Sequence, residues 1–394
     1  MRYFNKTDLE QAGLEQANLE QANLEPSNLE PSTLSRRGFL KVGLSSAALF
    51  GLTSLLNACG QQGEPKKLSF LNWQDYIAAD TLDGFTKASG NEVSYQTYAS
   101  NDELAFLLNR GSGARRGGRQ GSSYDLIVPS NNALEGFKNA GLLQALKRDQ
   151  ITGLENLRSD VVNAAFDPGN AYSIPWATGT TGIGYDSEIL KTPPDWSIFA
   201  DPTHKGRMTI LDEAREALAM ALISIDRSPN AREQSDIDRA TEVLIQLKSN
   251  LRSFDSKTYL RDLAAGKLVA CQAFSSDLLI AQQQRPSLRF VLPAQGATRW
   301  IDSLVIPADA ARPGRAHEFI SYFLRPEVAA GVSSAAKVDT GNALAFERLA
   351  PEVRNNPTIF PPSEVLKKIS FLENLGDDQQ KYDAAWKRVK DARA

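Results

Sequence analysis

Short apolar runs alternate with helical stretches along most of the chain. Leu68–Leu71, Val93–Tyr98, Asp125–Ser130 (broken by Pro129), Met208–Leu211 and Val269–Phe274 have the length and the punctuation of buried strands. Between them, apolar residues recur at helical spacing. Leu82, Phe85 and Thr86 form one such face, stopped at Gly90. Ser100-Asn101-Asp102-Glu103 has the form of a capping box opening a helix that carries Leu104, Leu107 and Leu108. Leu134 and Phe137 follow on a helix stopped at Gly141. Leu218, Ala221, Leu222 and Ile225 predict another helix, and Ile237, Ala240, Val243, Leu244 and Leu247 a further one. Tyr172–Trp176 and Ile183–Tyr185 read as two extended pieces around a small-residue bend, Thr178-Gly179-Thr180-Thr181. The alternation of β and α units predicts an α/β protein with largely parallel sheets. Leu304–Ile306 then reads as a strand buried on both faces of such a sheet.

In open α/β sheets, ligands sit beyond the carboxyl ends of the strands. That rule selects Trp73, Asp75 and Tyr76 after the first strand, Ser130 after the Asp125 run, and Asp212, Glu213 and Glu216 after Met208–Leu211. Glu213 and Glu216 have a second explanation, since acids in a first helical turn favour the helix dipole wherever they occur. Trp300 and Asp302 stand two residues apart just before Leu304–Ile306, and on a strand that spacing puts both on one face. An aromatic surface beside an anion suits an organic cation. The alternative at this point is a packed indole and a turn aspartate.

At 394 residues the chain is long enough for two domains. Hydrophobic content of 42% and charged content of 23% are ordinary for a globular protein, and a net charge of −3 gives no basic footprint for nucleic acid. Cys59 and Cys271, with only His204 and His317 as partners, build no zinc cluster, and both histidines suit surface or helix roles. The glycine- and arginine-rich stretch Gly111–Gly121 lacks the Gly-Lys-Ser/Thr of a phosphate loop and reads as a solvated surface loop. Ser334-Ala335-Ala336-Lys337 matches Ser-x-x-Lys without the motifs that accompany it in hydrolases. Asp339-Thr340-Gly341 occurs once, where an aspartic-protease dyad needs two carboxylates. An exported hydrolase is thus a weaker alternative, and neither enzyme, cofactor nor metal is expected.

The N-terminal region has its own logic. Residues 1–34 repeat leucine every five positions (Leu9, Leu14, Leu19, Leu24, Leu29, Leu34), which resembles pentapeptide-repeat proteins. Six units make hardly more than one coil, and Pro26 and Pro31 interrupt them, so a disordered leader is expected. Residues 35–59 carry Ser35-Arg36-Arg37-Gly38-Phe39-Leu40-Lys41, which resembles a twin-arginine export signal. An apolar stretch from Val42 to Leu56 follows, and Leu56-Asn57-Ala58-Cys59 resembles a lipoprotein cleavage box, with Asn57 in place of the usual small residue. Lipid on Cys59 is the expectation, with residues 60–65 as a polar linker.

Several ordered motifs together resemble the bacterial periplasmic spermidine/putrescine-binding protein family. They are Leu71-Asn72-Trp73-Gln74-Asp75-Tyr76-Ile77, Tyr98-Ala99-Ser100-Asn101, Tyr124-Asp125-Leu126-Ile127-Val128-Pro129-Ser130 and Tyr172-Ser173-Ile174-Pro175-Trp176. Further on come Leu211-Asp212-Glu213-Ala214-Arg215-Glu216, Trp300-Ile301-Asp302-Ser303-Leu304 and Phe323-Leu324-Arg325-Pro326-Glu327. The resemblance implies a two-lobed periplasmic binding protein fold of type II kind. Each lobe is a mixed sheet flanked by helices, discontinuous in sequence and joined by hinge strands. Lobe one is expected from 66–176 and 299–341, and lobe two from 181–296 and 345–392. It also implies a monomer outside the cytoplasm that hands a polyamine to an inner-membrane ABC permease. The ligand-binding residues it implies are Trp73, Tyr76, Ser130, Glu213, Glu216, Trp300 and Asp302. The chain departs from the family at three cage positions, where Asn132, Ala273 (beside Phe274) and Val338 replace aromatic residues. That leaves the choice between putrescine and spermidine open, and with it another small cationic or amino-acid-like solute.

Overall fold

A computed structural model of the chain describes residues 66–113, 124–162 and 164–393. The leucine-repeat leader, the twin-arginine run, Cys59 and the linker lie outside the described residues, as does most of the glycine- and arginine-rich loop. Lys67–Ala394 fall in one unit.

That unit is built on a mixed sheet. Ten strands are introduced in chain order: β1 (Lys67–Trp73), β2 (Glu92–Tyr98), β3 (Leu126–Ile127), β4 (Ser173–Asp186), β5 (Met208–Ile210), β6 (Ser253–Phe254), β7 (Ala270–Phe274), β8 (Leu288–Val291), β9 (Ala297–Val305) and β10 (Ile369–Phe371). The order across the sheet is β2-β1-β3-β9-β4-β7-β5-β6, with β8 on β4 and β10 on β9. At each end the strands run parallel: β1 with β2 and β3 on one side, β5 with β6 and β7 on the other. The middle differs from the expectation of largely parallel pairing. β9 runs antiparallel to both β3 and β4, and β4 antiparallel to β7 and β8. β9 is nonetheless buried along almost its whole length, which is why its apolar run looks like a parallel strand in sequence.

A second correction concerns the small-residue stretch near Gly179. Ser173–Asp186 is a single fourteen-residue strand, buried throughout, with one irregularity between Pro175 and Ala177 rather than a bend at Thr178–Thr181. The glycines are there for close approach. A Cβ on Gly182 would meet the Val291 carbonyl at 2.5 Å, and one on Gly184 would meet Leu278 at 2.6 Å.

Helices flank the sheet where the apolar spacing places them. They include α1 (Thr81–Ser89), α2 (Asn101–Gly113), α3 (Asn131–Asn139), α4 (Ala214–Ser224), α5 (Gln234–Leu247), α6 (Ser275–Gln282), α7 (Pro313–Phe323), α8 (Pro326–Ala336) and α9 (Gln379–Asp391). Gly90 ends α1 in the left-handed conformation. The capping box forms: the Ser100 hydroxyl accepts from the Glu103 N–H at 3.1 Å, and the Glu103 carboxylate accepts from the Ala99 N–H at 2.8 Å. His317 is buried in α7, where its Nε2 accepts from the Lys147 N–H.

The buried side chains gather on either side of the β9/β4 pair. Phe70, Phe85, Trp176, Leu304, Phe319 and Phe323 anchor one core, with a smaller cluster around Leu104, Leu134 and Phe137. Met208, Leu218, Leu222, Leu244 and Tyr382 anchor another, with a satellite around Tyr259, Leu263 and Cys271. Ala345, Leu349, Val353 and Ile359 pack in the first core, whereas Leu375, Tyr382 and Val389 of the C-terminal stretch pack in the other.

Candidate functional site

The site grows out of one face of β9. Cross-strand pairing sets Asp302 opposite Ala177, Trp300 opposite Gly179 and Thr298 opposite Thr181. Those six positions share a face, because alternate residues of a strand point the same way. Asp302 is only 6% exposed, yet it meets no cation among the described residues. Its Oδ2 accepts from the Tyr76 hydroxyl at 2.8 Å, its backbone bridges Ser130, and the Ser130 hydroxyl also draws on the carboxyl, whose Oδ1 meets no donor in ordinary hydrogen-bond geometry among the described residues. Tyr76 arrives there because the chain turns sharply after β1, with Asp75 at φ 54°, and because the Trp176 indole N–H holds the Tyr76 carbonyl. The Trp300 ring lies between Tyr76 (centroids 6.4 Å apart) and Phe274 (6.3 Å, edge-on), and its N–H is buried without a partner.

Glu216 reaches the same face from the other side, with Glu213 buried near it. Glu216, in the first turn of α4, accepts at Oε2 from the Thr298 hydroxyl at 2.8 Å. Glu213 caps α4 by position but makes no side-chain cap bond, so the helix dipole does not account for where its carboxyl is held. Thr298 and Asp302 stand four residues apart on β9, roughly 13 Å at the usual strand rise. Asp302 and the Thr298 that holds Glu216 thus stand two pairs apart on one strand face, the ends of a track with Trp300 between them.

All three acids are pushed toward their neutral forms. Burial raises Asp302 to about 6, against the pull of the Ser130 and Tyr76 hydroxyls. Burial raises Glu216 to about 7, opposed by Thr298, Thr181 and the charge of Arg215. Burial raises Glu213 to about 8, helped by the like charges of Asp102, Glu216 and Asp212. Arg215 is turned away, its guanidinium 4.5 Å over the Tyr382 ring and bonded to Asn230. Buried carboxyls short of positive charge are what a cationic ligand would complete.

Comparison with known proteins gives this geometry a setting. Residues 122–366 match the family described as bacterial extracellular solute-binding protein. The spermidine/putrescine-binding periplasmic protein of Salmonella typhimurium is 30% identical over 345 residues, covering 87% of this chain and 97% of that protein. The chain belongs to the bacterial extracellular solute-binding proteins. The putrescine-binding periplasmic protein PotF of Escherichia coli is 32% identical over 331 residues, covering 79% of this solute-binding protein and 87% of PotF. Among solved structures, the spermidine/putrescine substrate-binding protein PotD of Streptococcus pneumoniae superposes with a TM-score of 0.73 at 28% identity, covering 83% of this chain and 99% of that one. The PotD lipoprotein of Treponema pallidum gives 0.72 at 25%, covering 82% and 99%. The fold is the two-lobed architecture of periplasmic binding proteins.

Of the residues singled out from sequence, Tyr76, Ser130, Trp300 and Asp302 meet directly, and Glu216 joins them through Thr298. Trp73 is a step removed: its indole N–H donates to the Val128 carbonyl at 2.9 Å and its ring packs on Tyr98 at 4.5 Å. Two residues of this solute-binding protein escaped the sequence reading. Phe274, at the end of β7, supplies an aromatic edge to Trp300 where the neighbouring Ala273 had suggested a gap. Asp277, in the first turn of α6, accepts from the Tyr259 hydroxyl at 2.9 Å. Burial raises its pKa, opposed by the Tyr259 and Ser276 hydroxyls. The strand-end rule, applied to β7 as it was to β1 and β5, would have found both. Val338, at another cage position, is a core residue.

Proposed function

We propose that this chain is the solute-binding component of an ABC importer and that it carries a polyamine between its lobes. The observation that supports this most is Asp302: a buried carboxyl with no cation against it among the described residues, on the same strand face as a buried indole and as Thr298, which holds the buried acid Glu216. An ammonium at each end would pair with Asp302 and with Glu216 or Glu213, and Trp300, Tyr76 and Phe274 would cover the methylenes and add cation–π attraction of about 0.5–2 kcal/mol each. Ser130 orients Asp302, and Trp73 backs the wall. The length of the track favours a triamine, which spans both acids, over a four-carbon diamine, which reaches one acid and the indole. The relatives named for spermidine and putrescine support the class of ligand.

The same reading has the protein delivered outside the cytoplasm through the Arg36-Arg37 signal, held at the membrane by lipid on Cys59, and working as a monomer with an inner-membrane permease. A lipoprotein among its structural relatives supports the anchor. In this reading lobe one is built from 66–176 and 299–341 and lobe two from 181–296 and the C-terminal end, with β4, β9 and β10 crossing between them. The packing of Ala345–Ile359 in the first core argues for a return to lobe two after Ile359 rather than at 345.

Thermal-shift screening of residues 60–394 against putrescine, spermidine, spermine, basic amino acids and γ-aminobutyrate tests the ligand class. Spermidine is expected to give the largest shift. A shift with γ-aminobutyrate alone would replace the polyamine by an amino-acid-like solute. Export is tested separately: Arg36→Lys with Arg37→Lys is expected to retain precursor in the cytoplasm, because lysine does not reproduce a guanidinium pair. Normal export of that variant would remove the twin-arginine route.

A further inference from the structure

Gly179 has no backbone reason to be glycine. It lies inside β4 and is absent from the residues of positive φ, so any L-residue could adopt its conformation. What it lacks is room. A Cβ built there would stand 2.3 Å from Trp300 Cζ2 and 2.6 Å from Cη2, with the Ser275 Oγ at 2.9 Å on the other side. Trp300 is the cross-strand partner of Gly179, so the indole folds back over the very residue it is paired with. Gly182 and Gly184 also admit close neighbours, but theirs belong to strand and helix packing. The neighbour of Gly179 faces the ligand track.

We propose that Gly179 is a positioning residue for ligand specificity: its missing side chain sets the depth of the Trp300 indole and hence the clearance left for the ligand chain. This rests on the polyamine reading given above. The indole is rigid, so a methyl at residue 179 cannot be absorbed by a flexible tip. Ser275 blocks sideways escape, since its Oγ is held by the Thr180 N–H at 3.2 Å. The remaining direction is outward, toward Tyr76 and the space over Asp302. A ring displaced that way narrows the track at its middle, where a bulkier or longer cation would run.

The test uses four chains: the parent, Gly179→Ala, Trp300→Phe, and the two changes together. Phenylalanine lacks the outer ring atoms that approach Gly179. Calorimetry with spermidine is expected to show Gly179→Ala weakening binding tenfold or more, and the double variant binding within threefold of Trp300→Phe alone. Acrylamide quenching of tryptophan emission, without ligand, is expected to show the Trp300 contribution more accessible in Gly179→Ala than in the parent. Equal losses from Gly179→Ala in both backgrounds, or unchanged quenching, would overturn the proposal. If the parent binds no polyamine, the functional reading fails while the quenching comparison still decides this one. If Gly179→Ala does not fold, restored folding in the double variant supports the proposal, and failure of both overturns it.

Discussion

Asp302 gathers more of the site's chemistry than any other side chain. Asp302→Asn keeps its shape and removes its charge, and is expected to weaken polyamine binding by about 2–5 kcal/mol, since a buried ammonium is left without its counter-charge. Trp300→Ala is expected to cost about 1–3 kcal/mol through lost packing and cation–π contact, and Asn132→Ala close to nothing. Calorimetry on the three variants checks the order, and parent-like binding by Asp302→Asn would remove the cation from the picture. Tyr76→Phe probes the same carboxyl from outside. It deletes the hydroxyl that donates to Oδ2 and helps hold the pKa near 6. The acid limb of the binding curve should then move to higher pH, with affinity at pH 8 changing far less than affinity at pH 6. A uniform loss across pH would mean that Tyr76 serves packing alone.

The continuous strand β4 is the element that sequence reading treated least well. Thr178-Gly179-Thr180-Thr181 looked like a bend because glycine and threonine are common in turns, and glycine leaves the same mark in a sequence whether it frees the backbone or admits a neighbour. Which of the two applies depends on Trp300, Val291 and Leu278, all distant in the chain. The helices were legible because their signals are local: Gly90 at the end of α1 and Ser100–Glu103 at the start of α2 need no tertiary knowledge. Antiparallel pairing of β9 was not legible, since a strand buried on both faces reads alike in either direction. The residues of the candidate site lie at strand ends and in family motifs, and Phe274 and Asp277 follow the same strand-end rule, but their pairing with Trp300 and Tyr259 rests on contacts distant in the chain. β4 also carries a stability prediction. Its last residue, Asp186, is fully buried and paired with Arg285, which also touches the Ala264 carbonyl. Arg285→Leu would leave that carboxylate without its partner and is expected to cost about 3 kcal/mol in urea unfolding. A loss below 1 kcal/mol would show that water reaches Asp186 readily.

At the scale of the whole molecule, the raised acids couple binding to protons. Asp302, Glu216 and Glu213 hold protons up to about 6, 7 and 8 in the ligand-free protein, whereas free carboxyls lose theirs near 4. Between these limits the folded state binds more protons than the unfolded one. These groups therefore favour the folded state at low pH, and that contribution declines as pH rises from about 4 to 8. A bound ammonium has the opposite preference, because it requires the carboxylates. Polyamine affinity is thus expected to climb from pH 5 to pH 8, with proton release detected as a buffer-dependent binding enthalpy. Affinity independent of pH across that range would mean that the acids are already ionised in the empty protein.

Arg299 stands between Thr298 and Trp300, and strand alternation sends it to the back of the sheet. There its Nη2 meets Asp160 at 3.3 Å and its guanidinium lies 5.0 Å over Phe371. Front and back of β9 thus carry opposite messages one residue apart. Deleting a single residue from the strand would swap the faces, withdrawing the indole and the carboxylate and presenting a guanidinium where an ammonium should settle. Variants of this protein are therefore expected to keep the length of Ala297–Val305 fixed, so that alignment gaps among its relatives should stop short of this strand.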